Sequence, residues 1–187
     1  MKSKYEIIDN ALDSKLFDDV QAWFTSNNFA WYHQDDVAYD GNLDISELDP
    51  IDQNLREKPF TESQKQYNFA LVHTVFKNMK IRCTKETWDK ILIVFEAAGV
   101  KKIKRCKVNY YPKTPEIVHH KDHVDFIHEH KGGIFYLNDN DGLTVLEDGT
   151  EIKSVANRLL LFDSSRPHHS TTCTNANRRL NINFNYF

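Results

Sequence analysis

The sequence predicts an α+β chain, mainly β, with its helices in the first half and a β-rich second half. Three observations carry this prediction. Two amphipathic stripes behind good N-cap residues lie before residue 100, and short extended runs separated by turn residues crowd the stretch after it. The third is composition: 12 Phe, 8 Tyr and 3 Trp suit a packed β interior better than a disordered chain.

Tyr5 to Ile8 reads as a short opening strand. Asp13 or Ser14 can cap a helix near 14–26, in which Leu16, Phe17, Val20, Trp23 and Phe24 recur on one stripe until Asn27-Asn28 ends it. Phe29 to Tyr32 begins another extended piece. Gln34 to Glu62 is acidic, holds Pro50 and Pro59 and lacks periodicity, which predicts a long irregular connection of the kind used for lids. Tyr67 to Phe76 is strand-like. Thr84 can cap a second helix near 85–98, with Trp88, Ile91, Leu92 and Phe95 on one face and Gly99 as its stop. Five strands then follow: Ile103–Tyr111, Gly133–Leu137, Leu143–Leu146, Arg158–Phe162 and Arg179–Tyr186. The basic residues Lys101, Lys102, Lys104, Arg105 and Lys107 read as an exposed edge strand kept soluble by its lysines.

A length of 187 residues fits a single domain, 1–187, with 1–99 as helical support and lid and 100–187 as the core that carries the site. The net charge of −3 creates no global basic field, so nucleic acid is not an expected partner. Three cysteines (Cys83, Cys106, Cys173) without regular spacing do not make a disulfide framework. Met1 to Glu6 lacks the apolar core of a signal peptide, and no apolar run reaches membrane-spanning length. A cytoplasmic protein without a membrane partner is expected.

Seven of the nine histidines fall between His119 and His169. In an extended segment residues two apart share a face, so His123 and Asp125 can address one ion while Val124 and Phe126 pack the other way. His120-Lys121-Asp122 has the same spacing, but its middle residue is lysine and it lies nearer Pro112 and Pro115, as a lead-in loop would. A distal ligand is offered by His168 or His169, beyond the apolar strand that ends at Asp163; position alone barely separates these two. Two histidines and a carboxylate on one face form the facial triad of non-haem iron oxygenases, with the remaining positions open. In the last strand the odd positions Arg179, Asn181, Asn183 and Asn185 share a polar face, and the even positions Leu180, Ile182, Phe184 and Tyr186 are apolar. An arginine there can hold a carboxylate through two parallel hydrogen bonds.

These residues resemble the 2-oxoglutarate- and Fe(II)-dependent dioxygenases, in particular the prolyl-4-hydroxylase-like branch and small members of it carried by bacteriophages. The resemblance is fullest over Val108 to Phe187. It runs through Val108-Asn109-Tyr110-Tyr111-Pro112, His123-Val124-Asp125, Lys131-Gly132-Gly133-Ile134-Phe135-Tyr136-Leu137-Asn138 and Gly142-Leu143-Thr144-Val145-Leu146. It continues through Asn157 to Ser165 with His168, and Arg179 to Phe184. Leu146 stands where the family has Phe, and Asp141 where it has a second glycine.

The resemblance implies a double-stranded β-helix (jelly roll) over 100–187, with the two helices packed outside. It implies Fe(II) held by His123, Asp125 and His168, and it prefers those residues to His120 and His169. It also implies that Arg179, rather than Arg178, binds the distal carboxylate of 2-oxoglutarate, with Tyr111, Tyr136 and Asn181 as further co-substrate contacts. O2 is the oxidant, succinate and CO2 leave, and ascorbate serves as reductant. Asp125 favours hydroxylation, because related halogenases lack that carboxylate. The expected substrate is a peptidyl proline, an amino acid or another small molecule, in the host cytoplasm for a phage-encoded chain. An acidic lid over 34–62 would suit a neutral or basic one. The alternative is a cupin-like metal protein or a zinc-type hydrolase or isomerase on the same scaffold. Arg179 separates the two, since a hydrolase has no need of an arginine there.

Overall fold

The computed structural model describes residues 4–37 and 59–187. Its elements are β1 (Tyr5–Ile8), α1 (Ser14–Thr25), β2 (Tyr32–Gln34), α2 (Glu62–Tyr67), β3 (Ala70–Lys77), β4 (Lys80–Ile81) and α3 (Lys85–Ala97). The second half holds β5 (Ile103–Pro112), β6 (Lys131–Tyr136), β7 (Leu143–Leu146), β8 (Glu151–Lys153), β9 (Arg158–Asp163), β10 (His168–Ser170) and β11 (Arg178–Tyr186). The protein is mainly β with few helices. An eight-stranded sheet has the order β1-β9-β6-β11-β5-β3-β2, with β4 hung on β3, and a three-stranded sheet has the order β10-β7-β8. Neighbouring strands pair antiparallel, so each can present one apolar and one polar face.

The helices begin where their caps dictate. Asp13 accepts from the Leu16 backbone N–H at 3.0 Å, and Thr84 accepts from that of Thr87 at 3.2 Å. Gly99, at φ +64°, closes α3 in a conformation that suits glycine, and the Val100 N–H returns to Phe95 O at 2.9 Å. Both helices cover the outer face of the large sheet. Val20 and Phe24 of α1 join Ile91, Val94 and Phe95 of α3 and Leu180, Ile182 and Phe184 of β11 in one core. Trp23 Nε1 donates to Thr87 Oγ1 at 3.1 Å and ties the helices together. The predicted stripes need one correction each. Leu16 and Leu92 are exposed, because the real contact lines run through Val20 and Phe24 and through Thr87, Ile91 and Val94.

Other boundaries differ too. The predicted strand Tyr67–Phe76 begins only at Ala70, because Glu62–Tyr67 is helical. Thr61 and Gln64 form a capping box there, a signal the periodicity argument passes over. Residues 38–58 of the predicted 34–62 connection lie outside the described residues. The short strands β8 and β10 flank β7 and were not predicted. The largest correction concerns β5, which is no edge: β11 pairs with it on one side and β3 on the other. Arg105 and Lys107 therefore sit on a strand interior to the sheet and line a cavity, while Lys101 and Lys102 precede the strand and are exposed.

Between the two sheets lies a second apolar cluster of Ile134, Tyr136, Leu160 and Phe162 from β6 and β9 with Leu146 and Ile152 from the small sheet. It closes one side of the intersheet space. The other side is polar.

Candidate metal centre

The polar side is built by β5 and β11, whose odd positions stand opposite each other. The pairs are Arg179 with Tyr111, Asn181 with Asn109, Asn183 with Lys107, and Asn185 with Arg105. All of these but Asn185 line one cavity, together with His123, Asp125 and His168. The even positions of β11 are in the outer core, so strand alternation alone turns this polar row inward.

His123 and Asp125 reach the cavity from outside the named strands. His123 forms an isolated antiparallel bridge with His168, each backbone N–H donating to the other's carbonyl at 3.0 Å, and the Asp125 N–H donates to Ser164 O at 3.1 Å. The expected strand over His123–Asp125 is thus a single bridge, yet its pairing still sends both side chains inward. The histidine rings lie 4.6 Å apart. Ligand atoms of His123, Asp125 and His168 fall within 4.8 Å of one another.

The donor set suits a divalent metal. Nδ1 of His168 donates to Arg166 O at 3.0 Å and Nδ1 of His123 to Lys121 O at 3.2 Å, which leaves Nε2 of each ring as the lone-pair atom. Nε2 of His168 is buried, has no hydrogen-bond partner among the described residues and lies 3.8 Å from Asp125 Oδ2. Burial pushes the His123 pKa down to about 3, so the ring is a neutral donor at physiological pH. Burial opposes ionisation of Asp125, but the Arg105 guanidinium and the flanking histidines outweigh it and hold the carboxyl well below its ordinary range. A neutral imidazole at His123 and an ionised carboxylate at Asp125 are the protonation states in which these side chains ligate a divalent metal.

The neighbouring histidines make other contacts, although His169 also lines the cavity. His120 is buried, its Nδ1 meets Ser170 Oγ at 2.9 Å and its ring tilts on Tyr111. Asp122 leaves it to pair with His169 Nδ1 at 2.6 Å, while His169 Nε2 meets His119 Nδ1 at 3.0 Å. The His120-Lys121-Asp122 spacing therefore does not converge on one point.

Arg179 is fully buried. Its Nε donates to Ser154 Oγ at 2.8 Å, Nη2 to Thr144 Oγ1 at 3.0 Å and Nη1 to Thr171 O at 3.4 Å. These partners are neutral, and among the described residues no carboxylate pairs with it. Arg178 lies over the Tyr110 ring on the opposite face. Tyr111 sits beneath the Arg179 guanidinium, 5.2 Å from ring centre, and burial raises its pKa, so its hydroxyl keeps its proton. Asn181 lines the cavity and accepts from Asn109 Nδ2 at 3.0 Å. Tyr136 is not at the cavity wall; its hydroxyl donates to Thr144 Oγ1 at 2.8 Å, the oxygen that also accepts from Arg179. Gly142 makes room for this arginine, because a Cβ there would meet Arg179 Cδ at 2.5 Å.

Sequence reasoning placed Asn185 on the polar face of the last strand and Arg105 in a basic stretch, but connected neither to Asp125. Arg105 Nη2 donates to Asp125 Oδ1 in a short contact, and Asn185 Nδ2 donates to Oδ2 at 2.8 Å and to Ser164 Oγ at 3.1 Å. The signal was present, since Arg105 shares the odd face of β5 with Tyr111.

No protein-family model matches the chain, and no curated protein matches it in sequence. Solved structures do. One is a prolyl hydroxylase from Trichoplax adhaerens in complex with a hypoxia inducible factor oxygen degradation domain peptide fragment. It matches at TM-score 0.60 and 16% identity, over 100% of this chain and 84% of that one. An oxidoreductase of the 2OG-Fe(II) oxygenase family from Burkholderia pseudomallei matches at TM-score 0.57 and 10% identity, over 97% and 84%. A viral collagen prolyl hydroxylase from Paramecium Bursaria Chlorella virus-1, in its 2OG complex, matches at TM-score 0.50 and 14% identity, over 97% and 94%. The chain has the 2OG-Fe(II) oxygenase fold of the prolyl hydroxylases. In that fold the chain carries a His-Asp-His group within the cavity and a buried arginine on the same polar wall. No helix among the described residues is long and apolar enough to cross a membrane.

Proposed function

We propose that this chain is a non-haem Fe(II)- and 2-oxoglutarate-dependent dioxygenase that hydroxylates a peptidyl proline, an amino acid or another small molecule. The observation that carries the reading is Arg179. A guanidinium keeps its charge when buried, and burying it costs several kcal/mol unless an anion offsets it. Here its protein partners are neutral and it shares a cavity with the His123, Asp125 and His168 group. A dicarboxylate reaching from the metal to Arg179 would supply that anion. A hydrolase site would leave the buried charge without purpose.

In this reading the two sheets form a double-stranded β-helix, and the chain is one domain whose site lies in 100–187. His123, Asp125 and His168 would hold Fe(II), which with 2-oxoglutarate and O2, and ascorbate as reductant, supplies oxidation of a substrate C–H bond with release of succinate and CO2. The protein's own share is positioning and exclusion of water. The carbonyls of Lys121 and Arg166 fix the ring tautomers. Arg179 takes the distal carboxylate, Tyr111 and Asn181 flank it, and Tyr136 acts through Thr144 by orienting the oxygen that holds Arg179. Asp125, present in the group, favours hydroxylation over halogen transfer. The peptide carried by the Trichoplax relative supports a peptide among the substrates to be tried. Three free cysteines, two of them buried, suit the reducing cytoplasm.

The test is anaerobic calorimetry with Mn(II) and then 2-oxoglutarate, followed by a succinate assay over proline peptides, amino acids and nucleosides. Metal binding without any 2-oxoglutarate affinity would refute the oxygenase reading and favour a metal protein of another class.

A further inference from the structure

Asp125 is gripped from two facing strand positions, and the two grips differ in kind. Asn185 on β11 donates a neutral hydrogen bond to Oδ2 at 2.8 Å. Arg105, directly opposite on β5, brings a full positive charge to Oδ1. The side chains of this ion pair are 16% and 4% exposed, so water screens it little. Among the described residues Arg105 has few other contacts: its buried Nε has no hydrogen-bond partner there, and beyond Asp125 its guanidinium rests on the Phe126 ring at 4.9 Å. Oδ2, the oxygen 3.8 Å from His168 Nε2, is the one turned toward the histidines.

We propose that Arg105 is a positioning residue that competes with the metal for Asp125, and so sets how tightly this site holds a divalent cation. The inference rests on reading His123, Asp125 and His168 as metal ligands. By claiming Oδ1, Arg105 restricts the carboxylate to one metal-facing oxygen, which leaves more of the coordination sphere to co-substrate and oxidant. Its charge has opposite consequences in the two states. Without metal, it offsets a carboxylate that is otherwise buried and unpaired. With metal, a guanidinium one carboxylate away from a dication repels it, and the low local dielectric makes that repulsion count. The site is therefore built for an exchangeable ion, with a fold that does not depend on the ion for charge balance. A lysine would preserve the charge but not the planar, directional donor.

The experiment compares Mn(II) binding by anaerobic calorimetry in the full chain, Arg105→Gln and Arg105→Lys, with thermal unfolding of the same proteins with and without Mn(II). Arg105→Gln should bind Mn(II) about tenfold or more tightly than the parent, which is about 1.4 kcal/mol. Its metal-free form should melt lower than the parent, with the gap closing as Mn(II) is added. Arg105→Lys should stay near the parent affinity. Folded Arg105→Gln that binds Mn(II) equally or more weakly overturns the proposal. If that variant folds only with metal, chelator challenge of the Mn(II)-loaded protein replaces calorimetry: slower metal loss than the parent supports the competition, and equal or faster loss overturns it. A parent chain that binds no Mn(II) refutes the metal reading itself, whereas parent binding without a gain in Arg105→Gln refutes only the role of Arg105.

Discussion

In the proposed reading Arg179 and His168 divide the site between them, Arg179 binding an anion and His168 a cation. Removing one partner of a desolvated charge pair costs about 3–5 kcal/mol. Arg179→Ala should therefore weaken 2-oxoglutarate binding by roughly a hundredfold or more, at about 1.4 kcal/mol per tenfold. Mn(II) affinity should stay near that of the parent, because Arg179 touches none of the three proposed ligands. Anaerobic calorimetry reads both, and an unchanged 2-oxoglutarate affinity would remove the main support for the oxygenase reading. His168→Ala should abolish Mn(II) binding, whereas His120→Ala should retain it, since His120 faces Ser170 and Tyr111. Electron paramagnetic resonance of Mn(II) distinguishes free from bound ion directly. Loss of metal in His120→Ala would move the ligand assignment.

At the scale of elements, the cavity depends on how closely the β7 segment approaches β11. Gly142 sits just before β7, and a Cβ there would meet Arg179 Cδ at 2.5 Å and the Thr172 carbonyl oxygen at 2.8 Å. The carbonyl belongs to the backbone and cannot swing aside, so the arginine must. Gly142→Ala should cost about 1–3 kcal/mol through overpacking and weaken 2-oxoglutarate binding, while metal binding persists. Thermal unfolding together with calorimetry would check both parts. Parent-like co-substrate affinity would show that Arg179 has more room than its contacts indicate. Gly133 follows similar logic on the outer core, where a Cβ would fall 2.2 Å from the Phe184 ring.

For the whole molecule, the buried imidazoles couple stability to pH. Burial pushes His120 and His123 from 6.5 down to about 3. The unfolded chain takes up these protons first, so stability is full above about pH 6.5 and falls as pH drops toward 3. Asp125 acts in the same direction at lower pH, because its folded carboxyl stays ionised below the unfolded value of 3.8. The melting temperature of the metal-free protein should thus decline from pH 7 to 4, and His120→Phe should flatten that decline by about one proton. A flat profile in the parent would show that these rings are not held neutral. At pH 7, Mn(II) at a hundred times its Kd should add about 2.7 kcal/mol of stability, and His168→Ala should lose that gain.

Much of this was legible locally. Period-2 alternation assigned the two faces of β11, and the caps Asp13 and Thr84 marked the helix starts, because such signals involve neighbours a few residues apart. The same short range explains the failures. β5 was read as an edge because lysines suit edges; that two strands flank it is a property of the sheet order, which no local window contains. The three-residue strands β8 and β10 form only because β7 lies between them. Residue spacing alone could not choose between His123 and His120, or between His168 and His169. The bridge of His123 to His168, across 45 residues of chain, brings one pair of rings together and sends His120 and His169 to other partners. Arg105 shows the limit most clearly. Its type and its face were visible from the alternation of β5, but its meaning came from Asp125, which only the folding of 113–130 across the sheet places beside it. For β11 the sequence by itself determined which residue types face inward; register between distant strands, a non-local free energy of pairing and packing, decided which of them meet.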